Sequence, residues 1–393
     1  MRLLVLGGQL QGTEITYLAK QAGWDVTVVD KAKDVLSSKL CDHFICADIV
    51  DLDPGFLKDY DLVFPAFEDV GSLQQAKLMT FEASVSFAYD EQAYLLSRSK
   101  IQTNAFLKGI DIRIPPLLED PIAEGTASQY SYIVKPDCKS GSKGLHCFDN
   151  ANSTLRYINE HQDEGIFGQV FLNGPIYSIE VVCEYEKVVP YMVTEVVVDS
   201  HYDCHRIIAP ADISHELQDE IRAIAYRIGK ALRMRGIFDI EMVLHDSLLY
   251  VLEIDARMPS QTPIAIYHAC GINLVTETAR CFTAIPRQES EPDDEPAIDA
   301  MIRESSHAVL QHVHVEEGKE SAITLIGEGS LLEASPLIKE DGFCGADLAL
   351  VSKDPLRGCT YATLVTVEGS DDQAMAKMNT IIRELTLKVK AHD

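Results

Sequence analysis

Two apolar-rich runs, Ile237–Leu244 and Leu248–Ile254, flank His245-Asp246-Ser247, the spacing of a β-hairpin with a short loop. A three-residue loop pairs Leu244 with Leu248, which sets Glu241 opposite Val251 and Asp239 opposite Glu253. Side chains alternate along a strand and cross-strand partners share a face. Asp239, Glu241, Glu253 and Asp255 are therefore expected on one side of the hairpin. Four like charges there repel one another, and a bound cation would remove the penalty. Magnesium suits such a face, because it takes hard oxygen ligands from a few carboxylates and completes its shell with water and phosphate. A solvated surface hairpin is the plainer reading, but Val251, Leu252 and Ile254 make the second strand apolar enough to be buried. The inference leans on loop length, since a one-residue slip turns one strand's carboxylates away.

At 393 residues the chain has room for two or three domains. Its net charge of −27 argues against nucleic-acid backbones and anionic membranes as partners, and favours cationic small molecules. The opening MRLLVLGG is too short an apolar run for a signal peptide or a membrane span. Ten cysteines without CxxC pairs read as reduced thiols, and the expected compartment is the cytoplasm.

From the N-terminus, a strand, the turn Gly7-Gly8-Gln9-Leu10-Gln11-Gly12, a helix and a second strand ending at Asp30 make a βαβ opening. It can be read as a dinucleotide site with Asp30 on a ribose, although the glycines depart from G-x-G-x-x-G. The strand Asp61–Ala66 leads to Glu68 and Asp69, which either hold a substrate amine or cap the next helix. Pro115-Pro116 marks a boundary, and Tyr130–Pro136 is a strand interrupted by Lys135. Lys139, Ser140, Gly141, Ser142 and Gly144 then form a small basic loop whose backbone N–H groups can cradle phosphate. It is not a P-loop, because no Gly-Lys-Ser/Thr opens a helix there. Residues 289–296 read as an acidic, Pro-bearing linker, Asp372–Lys390 as a closing helix, and His312 and His314 as structural.

The hairpin, with Glu241 followed by Glu253-x-Asp255-x-Arg257, resembles the C-terminal signature of the ATP-grasp ligases. Lys100, Lys135 before Pro136, the Gly-rich loop and the stretch Gln169-Val170-Phe171-Leu172 match further motifs of that family in order. The resemblance implies an α/β ATP-grasp fold: a Rossmann-like domain over 1–97, a central lid subdomain over 98–174, and a catalytic domain over 175–393 with a β-rich tail. It also implies ATP and two Mg²⁺ ions. The metal falls to Asp239, Glu241, Glu253 and Asp255, and the phosphates to Lys100, Lys135 and the loop. Adenine falls to the backbone of the Gln169–Leu172 hinge, and Glu180 to the ribose or an amine. Arg257, Lys135, His201 and Arg235 are implied as catalytic, with His205 or Arg206 as substitutes for His201. Glu68, Asp69, Glu180, Ser260 and Thr262 are implied as substrate-binding. One departure stands out: Ile176 occupies the place of a ribose-contacting Glu.

Over the whole chain, including HAVLQHVHVEEG, the similarity is to the branch serving pyrrolysine biosynthesis. That implies coupling of 3-methylornithine, activated as an acyl phosphate, to the ε-amine of L-lysine. Both are cationic diamino acids. Another amino-acid or carboxyaminoimidazole-type ligase of the same family is the first alternative, and a nicotinamide-dependent dehydrogenase the second. No nucleic acid or membrane partner is expected, and a homo-oligomer is compatible with the sequence.

Overall fold

The strand Arg2–Leu6 is apolar and buried after its exposed first residue, as a central parallel strand must be. It anchors a five-stranded, all-parallel sheet in the order His43–Cys46, Asp25–Asp30, Arg2–Leu6, Leu62–Pro65, Ser86–Phe87. The computed structural model describes residues 1–119, 130–287, 295–316, 323–334, 336–354 and 357–390.

The remaining strands form two further sheets. A three-stranded antiparallel sheet centres on Tyr132–Pro136, flanked by His146–Phe148 and Ile166–Val170. A ten-stranded sheet begins with the hairpin Leu248–Asp255 and Arg235–His245, then Ile176–Glu184, Lys187–Val198 and Cys204–Ala209. It continues without a break into the tail strands His307–Glu316, Cys359–Glu368 and Leu348–Asp354. The β-rich tail is thus an extension of the sheet that carries the carboxylates.

Helices cover this sheet where its apolar side chains need covering. His215–Leu232 buries Ile221, Ala225 and Ile228 against Ile179, Val181 and Phe238. The helices Thr262–Cys270 and Leu274–Phe282 lie between the large sheet and helix Leu10–Gln21, so one core joins the parallel sheet's helix to the large sheet. Glu14 strengthens that junction: buried on helix Leu10–Gln21, it accepts the Ile264 N–H at 3.0 Å in the first turn of helix Thr262–Cys270. Burial pushes its carboxyl up to about 8.

The acidic linker expected over 289–296 lies mostly outside the described residues, and its last two residues open the helix Glu295–Arg303. The closing helix runs Asp371–Lys390. No described helix is long and apolar enough to cross a membrane.

The candidate active site

The hairpin brings its four carboxylates to one face by a route the spacing did not reveal. The loop holds two residues, Asp246 and Ser247, both left-handed (φ 48° and 63°), and His245 pairs with Leu248. That register alone would set Glu241 opposite Leu252 and turn Glu253 to the other side. A β-bulge prevents it: the pairing shifts between Met242 and Glu241, leaving Leu252 as the extra residue. Glu241 then faces Glu253, and Asp239 faces Asp255. The loop is therefore one residue shorter than expected, while the expected face stands because the shorter loop and the bulge each shift the register by one residue, and a total shift of two restores the alternation.

The carboxylates differ in charge state. Lys100 Nζ lies 2.9 Å from Glu253, whose side chain keeps 29% of its surface open, and this cation is the main reason the acid falls to about 2. Burial works against the Lys100 ammonium, but Glu253, Asp255 and Glu241 hold it above its ordinary range. Arg257 sits 2.7 Å from Asp255 and 3.3 Å from Glu68. Burial still leaves Asp255 raised. Among the described residues no cation is in contact with Glu241; burial, then Glu253, pushes it up to about 8. Burial holds Asp239 well above the usual carboxylate range, and its Oδ1 is enclosed without a hydrogen-bond partner.

This donor set fits a hard divalent cation, with unmatched oxygens on Asp239 and Glu241. It is not a preformed cage. Among the described residues no three acidic, histidine or cysteine side chains close on a common point, and Glu253 and Asp255 are ion-paired. Phosphate oxygens and water would have to complete a shell.

Two chambers meet over this face. The first is walled by Lys135, the loop Lys139–Lys143, the segment Gln169–Gly174, Ile176 and Leu252. Burial lowers the Lys135 ammonium, and Lys100 lowers it further. The loop turns through left-handed Gly141 and Ser142 (φ 62° and 54°), and a Cβ on Gly141 would meet nothing within 4 Å. Ser140 Oγ reaches Glu68 at 2.8 Å and Ser142 Oγ the Tyr202 carbonyl at 2.6 Å, so the loop is closed over the chamber. In the hinge, the Val170 and Phe171 N–H groups are bonded to Pro116 and Ser131. Ile176 presents only hydrocarbon to this chamber.

The second chamber opens from the first past Gly141, Ser142, Tyr202, Glu241 and Glu253. Its lining carries Asp203, Asp239, Glu241, Glu253, Asp255 and Glu328 against a single cation, Arg257. Ser260 and Thr262 also line it. Burial raises Asp203 to about 6.

Other expected residues stand apart. Asp69 caps helix Val70–Ala83 by accepting the Ser72 N–H at 2.7 Å, the role in which its neighbour Glu68 has no part. His201 is 86% exposed and lines neither chamber; Tyr202 beside it lines both. His205 and Arg206 bond to Gln311 instead. Arg235 lines a separate cleft behind Arg257, with its guanidinium on the Cys281 carbonyl and over the Phe282 ring. Glu180 is fully buried next to Asp239 across the ladder, its Oε1 taking the Ser178 hydroxyl, and burial lifts it to about 7. The N-terminal glycine turn is filled by its own chain. Ser37 N–H and Oγ both bond the Gly8 carbonyl, Asp30 takes the Gly8 N–H, and a Cβ on Gly8 would lie 2.3 Å from Val35. A dinucleotide there would have to displace Val35–Ser37, which removes the structural basis of the dehydrogenase reading. Tyr202, Asp203 and Glu328 went unnoticed in the sequence, where nothing local distinguishes them.

A family model described as an ATP-grasp domain matches residues 97–261. The chain is 31% identical over 290 residues to the 3-methyl-D-ornithine–L-lysine ligase of Methanosarcina barkeri, covering 72% of this chain and 73% of that one. The chain belongs to this family of ATP-grasp ligases. The Methanosarcina acetivorans member is 29% identical over 300 residues, covering 74% and 77%. Among solved structures, the N5-carboxyaminoimidazole synthetase of Staphylococcus aureus with ADP superposes with a TM-score of 0.66 at 18% identity, covering 97% and 96%. The biotin carboxylase domain of the Hydrogenobacter thermophilus 2-oxoglutarate carboxylase, with MgADP and bicarbonate, gives 0.70 at 14%, covering 97% and 89%. Those two likenesses establish the fold of this ATP-grasp ligase and nothing finer.

Proposed function

We propose that this ligase couples the carboxylate of a 3-methylornithine-type diamino acid to the ε-amine of L-lysine, releasing ADP and phosphate. The observation that carries this reading is the second chamber, where six carboxylates face one arginine next to the chamber lined by Lys100 and Lys135. Such a field concentrates cationic amino acids and disfavours neutral or anionic ones. The names of the Methanosarcina relatives supply the particular pair of substrates.

In this scheme the substrate carboxylate attacks the terminal phosphorus of ATP and forms an acyl phosphate as ADP leaves. The neutral ε-amine of lysine then attacks the acyl carbon and phosphate departs with one former carboxylate oxygen. Lys100 and Lys135 hold the phosphates in line, and the loop N–H groups from Lys139 to Gly144 wrap them. Arg257 meets the incoming carboxylate or the transferred group by paired N–H donation. Leu252, Val243 and Ile176 keep the adenine side dry. Two Mg²⁺ ions, held by Glu241 and Glu253 with Asp239 and Asp255 beside them, would neutralise charge on the phosphates. Closure of the loop over the site excludes water from the acyl phosphate.

Incubation with ATP, Mg²⁺, lysine and a panel of diamino acids, followed by mass spectrometry, tests the reading. An isopeptide product with matching ADP release supports it, and ATP turnover without any amide across the panel refutes the substrate assignment.

A further inference from the structure

The tail segment contributes a side chain to the second chamber that no motif of the ATP-grasp domain supplies. Glu328 opens the single helical turn Glu328–Leu331, capped by Gly327, beyond the matched residues 97–261. That turn is pressed onto Asp203: the Gly329 N–H donates to Asp203 Oδ2 at 3.0 Å, and a Cβ on Gly327 would fall 2.1 Å from the same oxygen. Only glycine fits there, so the turn has a single seat and carries Glu328 into the chamber wall. Its Oε2 accepts both the Ser260 hydroxyl at 2.6 Å and the Gln261 amide at 2.7 Å. These two donors orient the carboxylate without neutralising it.

No ion pair is recorded for Glu328 or Asp203 among the described residues. One further polar group on the same wall is enclosed and unmatched: Asp239 is 8% exposed, and its Oδ1 has no hydrogen-bond partner among the described residues. An enclosed acceptor with no donor among the described residues calls for a donor from a ligand.

We infer that Glu328 and Asp203 form a subsite for the side-chain ammonium of the diamino acid whose carboxylate is phosphorylated. This rests on the carboxylate–amine ligase reading above. The reacting carboxylate belongs beside Arg257 and the phosphate loop. The α-ammonium is only two bonds from that carboxyl carbon and stays near it, whereas the side-chain ammonium extends to the wall that the tail closes. An ammonium has three donors, and the free oxygens of Glu328 and Asp203 are the acceptors that would take them. The tail segment thereby helps select diamino acids over amino acids with a plain alkyl side chain.

The test compares D-ornithine with D-norvaline, which lacks only the terminal amine, in calorimetric binding to the full chain preloaded with a non-hydrolysable ATP analogue and Mg²⁺. Wild type is expected to prefer ornithine by on the order of 10–100-fold, the usual value of a charge-assisted hydrogen bond. Glu328→Gln keeps an oxygen for Ser260 and Gln261 but removes the charge, and should cut that preference to a few-fold or less while norvaline affinity hardly changes. Asp203→Asn should act in the same direction, and serves if the first variant melts abnormally. Equal preference in wild type and both folded variants, or none in wild type, overturns the subsite. Amide formation by wild type is measured separately with lysine added. Its absence would count against the coupling reaction, while the ornithine–norvaline ratio would still decide the subsite.

Discussion

Glu253 and Glu241 face each other across the hairpin, yet removing their charges should have opposite effects on the protein without nucleotide. Glu253 is ionised against Lys100, so Glu253→Gln takes away that ammonium's contacting partner and is expected to lower the melting temperature by a degree or more. Glu241 is charged only at a cost, because burial and Glu253 both oppose its ionisation, so Glu241→Gln should melt at or above wild type at pH 8. Both should lose roughly 10²–10³-fold in kcat at saturating Mg²⁺. Near-normal kcat in either would remove that side chain from the metal assignment, and a stabilised Glu253→Gln would contradict the ion pair. At this scale the sequence revealed what alternates along one strand, which is why the four carboxylates, Arg257 and the basic loop were legible. It could not reveal Glu328 or Asp203. They reach the chamber through packing between segments more than a hundred residues apart, and neither has a pattern around it.

The hairpin also marks where pattern reading fails at the scale of an element. Loop length and bulges both change register by one residue, and neither is written in the apolar periodicity. Residues 199–203 are a second case. Asp199 takes the N–H groups of His201 and Asp203, which holds Tyr202 at φ 62° and sends His201 outward. Tyr202 then touches the lid three times: its carbonyl takes Ser142, its hydroxyl meets Cys147 at 3.4 Å, and its ring packs edge-on to Phe171. If this contact keeps the lid shut, Tyr202→Ala should expose the loop. Trypsin cleavage after Lys139 or Lys143 in the presence of ATP and Mg²⁺ should be several-fold faster than in wild type, and phosphate should be released without matching amide. Identical cleavage rates and full coupling would assign Tyr202 to packing alone.

The sheet that carries the carboxylates runs into the tail, so stability of the molecule should depend on groups far from the chemistry. His312 and His268 are kept neutral by burial, at about 3 and about 4 against an ordinary value near 6.5. Below pH 6.5 the unfolded chain binds protons at these sites before the folded one does. Stability present above pH 6.5 is therefore lost as pH falls toward 4. Glu14 and Glu180, raised by burial, contribute with the opposite sign, losing stability as pH rises from about 4.5 towards about 8 and about 7. A single substitution separates the two. The drop in melting temperature between pH 7 and pH 5 should be smaller for His312→Leu than for wild type, and equal drops would mean that His312 titrates normally.

The proposed reaction is phosphoryl transfer to a carboxylate followed by capture with an amine, and the fate of one oxygen atom tests it most directly. The enzyme is given carboxyl-¹⁸O-labelled 3-methyl-D-ornithine, lysine, ATP and Mg²⁺, and the products are weighed by mass spectrometry. Singly labelled inorganic phosphate, formed in step with an amide on the lysine ε-nitrogen, is the expected result. Label in AMP, or amide formed with unlabelled phosphate, would contradict it.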